Sequence, residues 1–391
     1  MWLFGLLLSS MAVSTLMQFV LAVLAPFIIS EYSLSRTTYG SAASLLFLCA
    51  VAVSLLAGRL VNSWSEAAVV RTLYTAAVLA FVVMAVVPGW IGVLLAAMVM
   101  GFPLGIGNPV TNVLIATRVP PESQGTAAGV KQSGVQVGAL FVGLCVPPVA
   151  AAYGWRTAAA MLAVIALCGL AVTLPLRAGV EVPAGHSGLA ERPSAEHRSS
   201  ALATFLSAYA VLAGVGASAV NAFLPLFAFE VLAVPADRAG LIIALLGMFG
   251  ATARVLVGVL DDTWWRFEFW LAGLALAGAA SLALLFPAMS HPALLWVAVI
   301  GFGASTPAWQ TTAVLALVRE SGAAARSSGL VFGSFLVGMV LGPLSFGWLT
   351  DVTGTYVAGW LLVIGAFVVA GALAVSVPGW NRNRNRRRSA G

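Results

Sequence analysis

Charge is scarce in this sequence. Only 8% of its 391 residues are Asp, Glu, Lys or Arg, where a soluble globular chain carries about a quarter. With 61% hydrophobic residues and a mean hydropathy of +1.02, the chain cannot cover its outside with polar groups, so a soluble enzyme is excluded. Cysteine is limited to Cys49, Cys145 and Cys168, all inside apolar runs without metal or redox spacing, and these read as small core residues. His186, His197 and His291 lie in polar intervals, and no Gly-rich loop ends in Lys-Ser/Thr. The expectation is therefore no catalytic residue, no bound metal, no cofactor and no ATP hydrolysis by this chain. The formal charge of +6 is largely a tail effect, because Arg382, Arg384, Arg386, Arg387 and Arg388 crowd the last ten residues. Such a tail suits an anionic lipid leaflet, and nucleic acid is not expected as a partner.

What the chain has in abundance is long apolar runs. Charges, Pro and Gly divide it into runs near 3–30, 39–61, 68–88, 90–117, 125–150 and 155–177, then 201–230, 238–260, 265–287, 292–318, 327–350 and 355–377. Each is long enough to cross about 30 Å of hydrocarbon as a helix. A β-barrel would need short alternating segments instead. The stretch from Trp2 to about Ile29 has no basic segment ahead of it and is too long for a signal-peptide core, so it reads as a retained first span.

The interval 178–200, with Pro183, Gly185 and Pro193, has linker composition and divides the runs six and six. The expected organisation is an N-terminal six-helix bundle over 1–177, a cytoplasmic linker over 178–200, a C-terminal bundle over 201–377 and a basic tail over 378–391. With both termini cytoplasmic, fourteen basic residues fall on the cytoplasmic side and three (Arg36, Arg156, Arg238) outside. That asymmetry sets the orientation.

The two halves also match at a shift of about 200 residues. Gly40 pairs with Gly240, Gly58 with Gly258, Leu60 with Leu260, Gly101-Phe102 with Gly301-Phe302 and Thr111 with Thr311. Gly129, Gly138 and Gly154 pair with Gly329, Gly338 and Gly354; at a shift of 199, Pro26 pairs with Pro225 and Glu31 with Glu230. An even number of spans per half gives both the same direction, so the symmetry axis lies along the membrane normal. Gly129, Gly138, Gly329 and Gly338 are spaced for the close helix approach that a moving seam between bundles needs, while for each glycine alone ordinary helix packing is the favoured role.

Several stretches carry a family resemblance. The loop after the second run reads Gly58-Arg59-Leu60-Val61-Asn62-Ser63, and that after the eighth reads Gly258-Val259-Leu260-Asp261-Asp262-Thr263. Further stretches are Gly342-Pro343 with Gly347-Trp348-Leu349-Thr350-Asp351, and Gly154-Trp155-Arg156. In these features the sequence resembles the major facilitator superfamily over nearly its whole length. The resemblance implies an all-α membrane protein with twelve transmembrane helices in two pseudo-symmetric six-helix bundles. It also implies transport by alternating access, and a conformational latch at Gly58, Asn62, Gly258 and Asp262. The expected setting is the bacterial cytoplasmic membrane, as a monomer.

Ionisable groups inside a bilayer are costly and usually mark a pathway. Arg254 lies well inside the eighth run and Lys131 at a similar depth in the fifth. On opposite walls of a cavity two cations would repel unless an anion sat between them, which points to a small carboxylate. Arg grips such a group with two parallel hydrogen bonds, while Lys acts as a point charge. The segment Ala253-Arg254-Val255-Leu256-Val257-Gly258 is similar to the arginine segment of monocarboxylate and oxalate carriers. The competing reading is that both side chains reach out to the headgroups. Gln18, Asn108, Asn112, Gln136, Asn221 and Gln310, with Trp309, complete the candidate substrate site, with interhelical packing as their alternative role.

All thirteen acids lie in loops or at run ends, where Glu31 and Glu230 read as helix-end or cavity-mouth groups. Drug/proton and sugar/proton carriers of the resembled family usually hold a buried carboxylate, so a small organic anion is the expected cargo. The alternatives are a multidrug or neutral-solute efflux carrier of the same fold, and a non-transporting membrane receptor or scaffold.

Overall fold

The computed structural model describes residues 2–176, 196–261, 267–320 and 324–376. Most of the expected linker, the basic tail and Asp262 lie outside the described residues, as does the side chain of Asn62. Everything regular among the described residues is helical. In hydrocarbon each backbone N–H and C=O must be satisfied within the segment, and a continuous helix does that locally.

The N-terminal half comprises α1 (Trp2–Tyr32), α2 (Arg36–Ser63), α3 (Glu66–Val86), α4 (Trp90–Arg118), α5 (Gln124–Tyr153) and α6 (Trp155–Val172). The C-terminal half comprises α7 (Glu196–Glu230), α8 (Ala236–Asp261), α9 (Phe267–Ala283), the short α10 (Leu285–Ala288), α11 (Ala293–Ser305), α12 (Trp309–Glu320), α13 (Ala324–Thr353) and α14 (Tyr356–Ser376). Two of the helix starts carry serine caps. The Ser35 and Ser65 hydroxyls accept from the N–H groups of Thr38 and Ala68 at the starts of α2 and α3. At Gly154 and Gly354, φ values of +86° and +68° let the chain reverse where a side chain would be strained.

Among the described residues eleven helices are long and apolar enough to cross a membrane. The expected twelfth, the run 292–318, is not one helix. It is α11 and α12 joined by a 3₁₀ turn at Thr306–Ala308. The break falls at Pro307, which has no N–H to offer an i−4 carbonyl.

The repeat seen in the sequence recurs in the packing. α1 packs on α5 as α7 packs on α13, α2 on α4 as α8 on α11, and α3 on α6 as α9 on α14. α1 and α7 are innermost, with 89% and 78% of their most apolar stretch buried, against at most 56% for any other span. Large apolar side chains such as Leu55, Val86, Ile91 and Val164 face outward, as a lipid-embedded surface requires.

The halves meet through α2 with α13, α5 with α8 and α1 with α7. These contacts gather toward the far end, opposite to where α1 begins and α14 finishes. A Cβ on Gly40 would strike the Pro343 carbonyl, and one on Gly240 would strike Pro147 and Gly143, so these backbones touch across the seam. The expected seam glycines are placed differently. Gly138 abuts Ala12 and Gly338 abuts Val211, each within its own half, while Gly129 and Gly329 have open space around them. The close approach therefore falls at Gly40, Gly143, Gly240 and Gly347.

Polar groups fasten the same end. Asp351 on α13 accepts from the N–H groups of Arg36 (3.0 Å) and Thr37 (2.7 Å) at the start of α2. Arg36 Nη2 donates to Glu230 at 2.7 Å, and the Tyr356 hydroxyl donates to the same oxygen at 2.6 Å. The matching acid Glu31 is served within its own half by Trp155 and Arg156, so both acids sit at helix ends, as the sequence suggests. At the near end the space beside Gly58, Gly129, Gly329 and Gly333 is empty to 4 Å. Among the described residues, the close glycine contacts between the halves fall at the far end, and none of these near-end glycines takes part in one.

Candidate functional site

Between the halves lies a cavity of about 180 Å³. Its wall combines α1 (Ser14, Thr15, Gln18), α4 (Asn108), α5 (Gln132, Gln136), α7 (Asn221), α8 (Arg254) and the broken run (Thr306, Pro307, Trp309, Gln310). The rest is apolar, with Phe19, Phe47, Phe302, Phe332 and Phe335 prominent. Arg254 carries the one formal charge among the described lining residues.

The guanidinium is held from three sides. Nε donates to the Pro307 carbonyl and Nη2 to Gln310 Oε1, each at 3.1 Å. The break in the tenth run makes the first contact possible. The Pro307 carbonyl lies in the 3₁₀ turn between α11 and α12, where it accepts from α8 in place of a regular helical N–H. Across the seam, Gln136 accepts from Nη1 at 2.8 Å through Oε1, while its amide donates to the Gly247 carbonyl at 3.1 Å. The opposite amide orientation would set oxygen against oxygen and N–H against N–H, so the network assigns it. All three acceptors are neutral. The ion pairs among the described residues are Arg36–Glu230, Arg118–Glu66 and Arg156–Glu31, none of which involves Arg254.

Of the nine substrate-site residues expected from the sequence, seven line the cavity: Gln18, Asn108, Gln136, Asn221, Arg254, Trp309 and Gln310. Trp309 is also packed, 4% exposed, with ring centroids 5.6 Å from Tyr209 and 5.4 Å from Phe335. Lys131 and Asn112 are not brought to this wall. Lys131 is 3% exposed and its Nζ donates to Asn112 Oδ1 at 2.5 Å. The expected bracket of two cations around one anion is thus not formed. A helix turns about 100° per residue, so Gln132 and Gln136 share the cavity face of α5 while Lys131 is rotated away from it. Nor does Lys131 extend to the headgroups. Of the expected latch, Gly58 is unengaged at the near end, and Asp262 lies outside the described residues.

Ser14, Thr15, Gln132 and Thr306 are additional polar lining residues. Gln132 was legible as one turn before Gln136. Ser14 and Thr15 were not, because hydroxyls that bond back to Met11 are routine anywhere in a buried helix.

The sequence model of the Major Facilitator Superfamily matches residues 6–328. The chain belongs to that superfamily. It is a multi-pass membrane transporter of the alternating-access type. No curated protein sequence matches it. Among solved structures it is similar to a bacterial homolog of the human lysosomal transporter Spinster. In the inward-facing, unoccupied form of that protein the TM-score is 0.76 at 16% identity, over 97% of this chain and 95% of that one. Against the occupied form the TM-score is 0.70 at 16% identity, over 98% and 96%. The nucleoside transporter NupG gives 0.73 at 14% identity, over 95% and 100%. At these identities the likeness establishes the fold.

Proposed function

We propose that the chain moves a small organic anion, a carboxylate with an apolar body, across the bacterial cytoplasmic membrane. The carrying observation is Arg254, a full positive charge in the cavity wall satisfied by three neutral acceptors and no acid. A buried charge is stable when paired, and the missing partner is supplied by the cargo. The phenylalanines and Trp309 around it favour a substrate whose remainder is apolar.

The near end is taken as cytoplasmic, because the expected topology puts fourteen basic residues on the cytoplasmic side against three outside. The cavity then corresponds to an inward-facing state of a monomer built from bundles 1–177 and 201–377. The test is flux into proteoliposomes of purified protein with benzoate, pyruvate and oxalate. Saturable uptake of at least one of these is expected, and none for any carboxylate would refute the proposal.

A second reading has its own support. Gln18, Asn108, Asn221 and Gln310 together suit a neutral polar solute, and one structural relative, NupG, is a nucleoside transporter. Uptake of uncharged solutes with no competition from carboxylates would favour it.

A further inference from the structure

The contacts of Arg254 divide by half. Nε and Nη2 are bound by Pro307 and Gln310, which stand on the broken run of the same half. α8 packs on α11 and α12, so those bonds travel with the arginine. Nη1 is bound by Gln136, which stands on α5 of the other half and also holds the Gly247 carbonyl of α8. One side chain therefore spans the seam with both of its polar atoms, and it covers the end of the guanidinium that a carboxylate fork would engage.

We propose that Gln136 is a built-in competitor that sets the charge threshold of the site. Its amide oxygen lies on the Arg254 Nη1 that a substrate oxygen would take. A neutral carbonyl that displaced it would replace one neutral acceptor by another, at the loss of the Gly247 bond. The Gln136 bond is already assisted by the guanidinium charge; a carboxylate replaces it with two parallel hydrogen bonds and adds an opposite full charge that no neutral acceptor brings. Gln136 thus excludes neutral acceptors from the arginine and admits anions. The anion part of this rests on the reading given under Proposed function, while the occupancy of the guanidinium end by Gln136 does not.

The experiment reads that occupancy directly. Purified full-length wild type, Gln136→Ala and Gln136→Glu are treated with phenylglyoxal, an arginine reagent, and modification of Arg254 is followed by peptide-resolved mass spectrometry without any ligand. Arg254 is expected to react several-fold faster in Gln136→Ala and more slowly than wild type in Gln136→Glu, where a tethered carboxylate covers the fork. Changes of opposite sign are not produced by a folding defect, and thermal unfolding of each variant checks this independently. Equal rates in wild type and Gln136→Ala would overturn the proposal. In a second arm benzoate is added. It is expected to protect Arg254 in wild type, to protect Gln136→Ala at lower concentration, and to need about tenfold more in Gln136→Glu. If the ligand-free rates change as expected but benzoate, pyruvate and oxalate all fail to protect, the anion reading falls while Gln136 keeps its place on the arginine. Protection that is identical in all three proteins would overturn the competitor role.

Discussion

Replacement of Arg254 tests the central claim. The structure gives its guanidinium three neutral partners, of which Gln136 holds the Nη1 that cargo would take. Truncating one member of a buried, hydrogen-bonded charge pair costs about 2–5 kcal/mol. At about 1.4 kcal/mol per tenfold, Arg254→Ala should raise the KM for a transported carboxylate by roughly 30- to 4,000-fold. Arg254→Lys keeps the charge but loses the planar fork and the bonds to Pro307 and Gln310. A loss near one charged hydrogen bond, about 1.5–3 kcal/mol, corresponds to roughly 10- to 150-fold. Truncation also strands Gln310, Gln136 and the Pro307 carbonyl, so thermal unfolding in detergent must accompany the flux assay. Proteoliposome uptake over a concentration series separates the two effects, because lost folded protein lowers the maximal rate whereas lost recognition raises KM. Wild-type KM and maximal rate in Arg254→Ala would refute the reasoning outright.

Other consequences of the geometry are open to test. Gly40→Val or Gly240→Val should prevent closure of the far end by overpacking the seam, at about 1–3 kcal/mol. The readout is slower maleimide labelling of a cysteine placed at Gly129, with the three native cysteines removed; unchanged labelling would contradict the seam assignment. Asp351→Ala removes a cap from the first N–H groups of α2, worth about 0.5–2 kcal/mol. It should slow the same labelling more than Arg36→Gln does, since the Arg36–Glu230 pair is partly exposed and such pairs are worth about 0–1 kcal/mol. Lys131→Met should leave carboxylate KM within about threefold and leave thermal stability unchanged or higher, because a buried ammonium with one neutral partner is costly. A tenfold rise in KM would return Lys131 to the substrate path.

The sequence announces some of these features clearly and conceals others. A helix in lipid must be apolar for its whole length, so the spans show as runs, and a charge inside one stands out as Arg254 does. The tenth run kept its hydropathy through Pro307, so composition gave no sign that it is two helices. Depth along a helix is likewise readable where direction around it is not. Lys131 and Gln132 are neighbours in sequence, yet one reaches Asn112 and the other lines the cavity. The far-end fastening joins Arg36 to Glu230 and Asp351, partners separated by 194 and 315 residues. Nothing local to either end of such a pair records it.

The repeat itself separates scaffold from chemistry. Glycines at the seam recur at a shift of 200, as with Gly40 and Gly240, and their partners Pro343 and Gly143 keep the same shift. The polar groups of the cavity do not recur. At the same shift Arg254 corresponds to Ser54, Gln136 to Leu336, Gln310 to Val110 and Asn108 to Ala308. Backbone contacts must be alike on both sides for two similar bodies to close against each other. A small anion has no such twofold symmetry, and a second arginine at position 54 would set two like charges against one carboxylate. Introducing it as Ser54→Arg should therefore either destabilise the folded protein or shift preference toward dicarboxylates such as oxalate. Uptake of benzoate and oxalate in the same vesicles distinguishes these, and an unchanged preference in a stable variant would show that position 54 does not mirror Arg254 across the cavity.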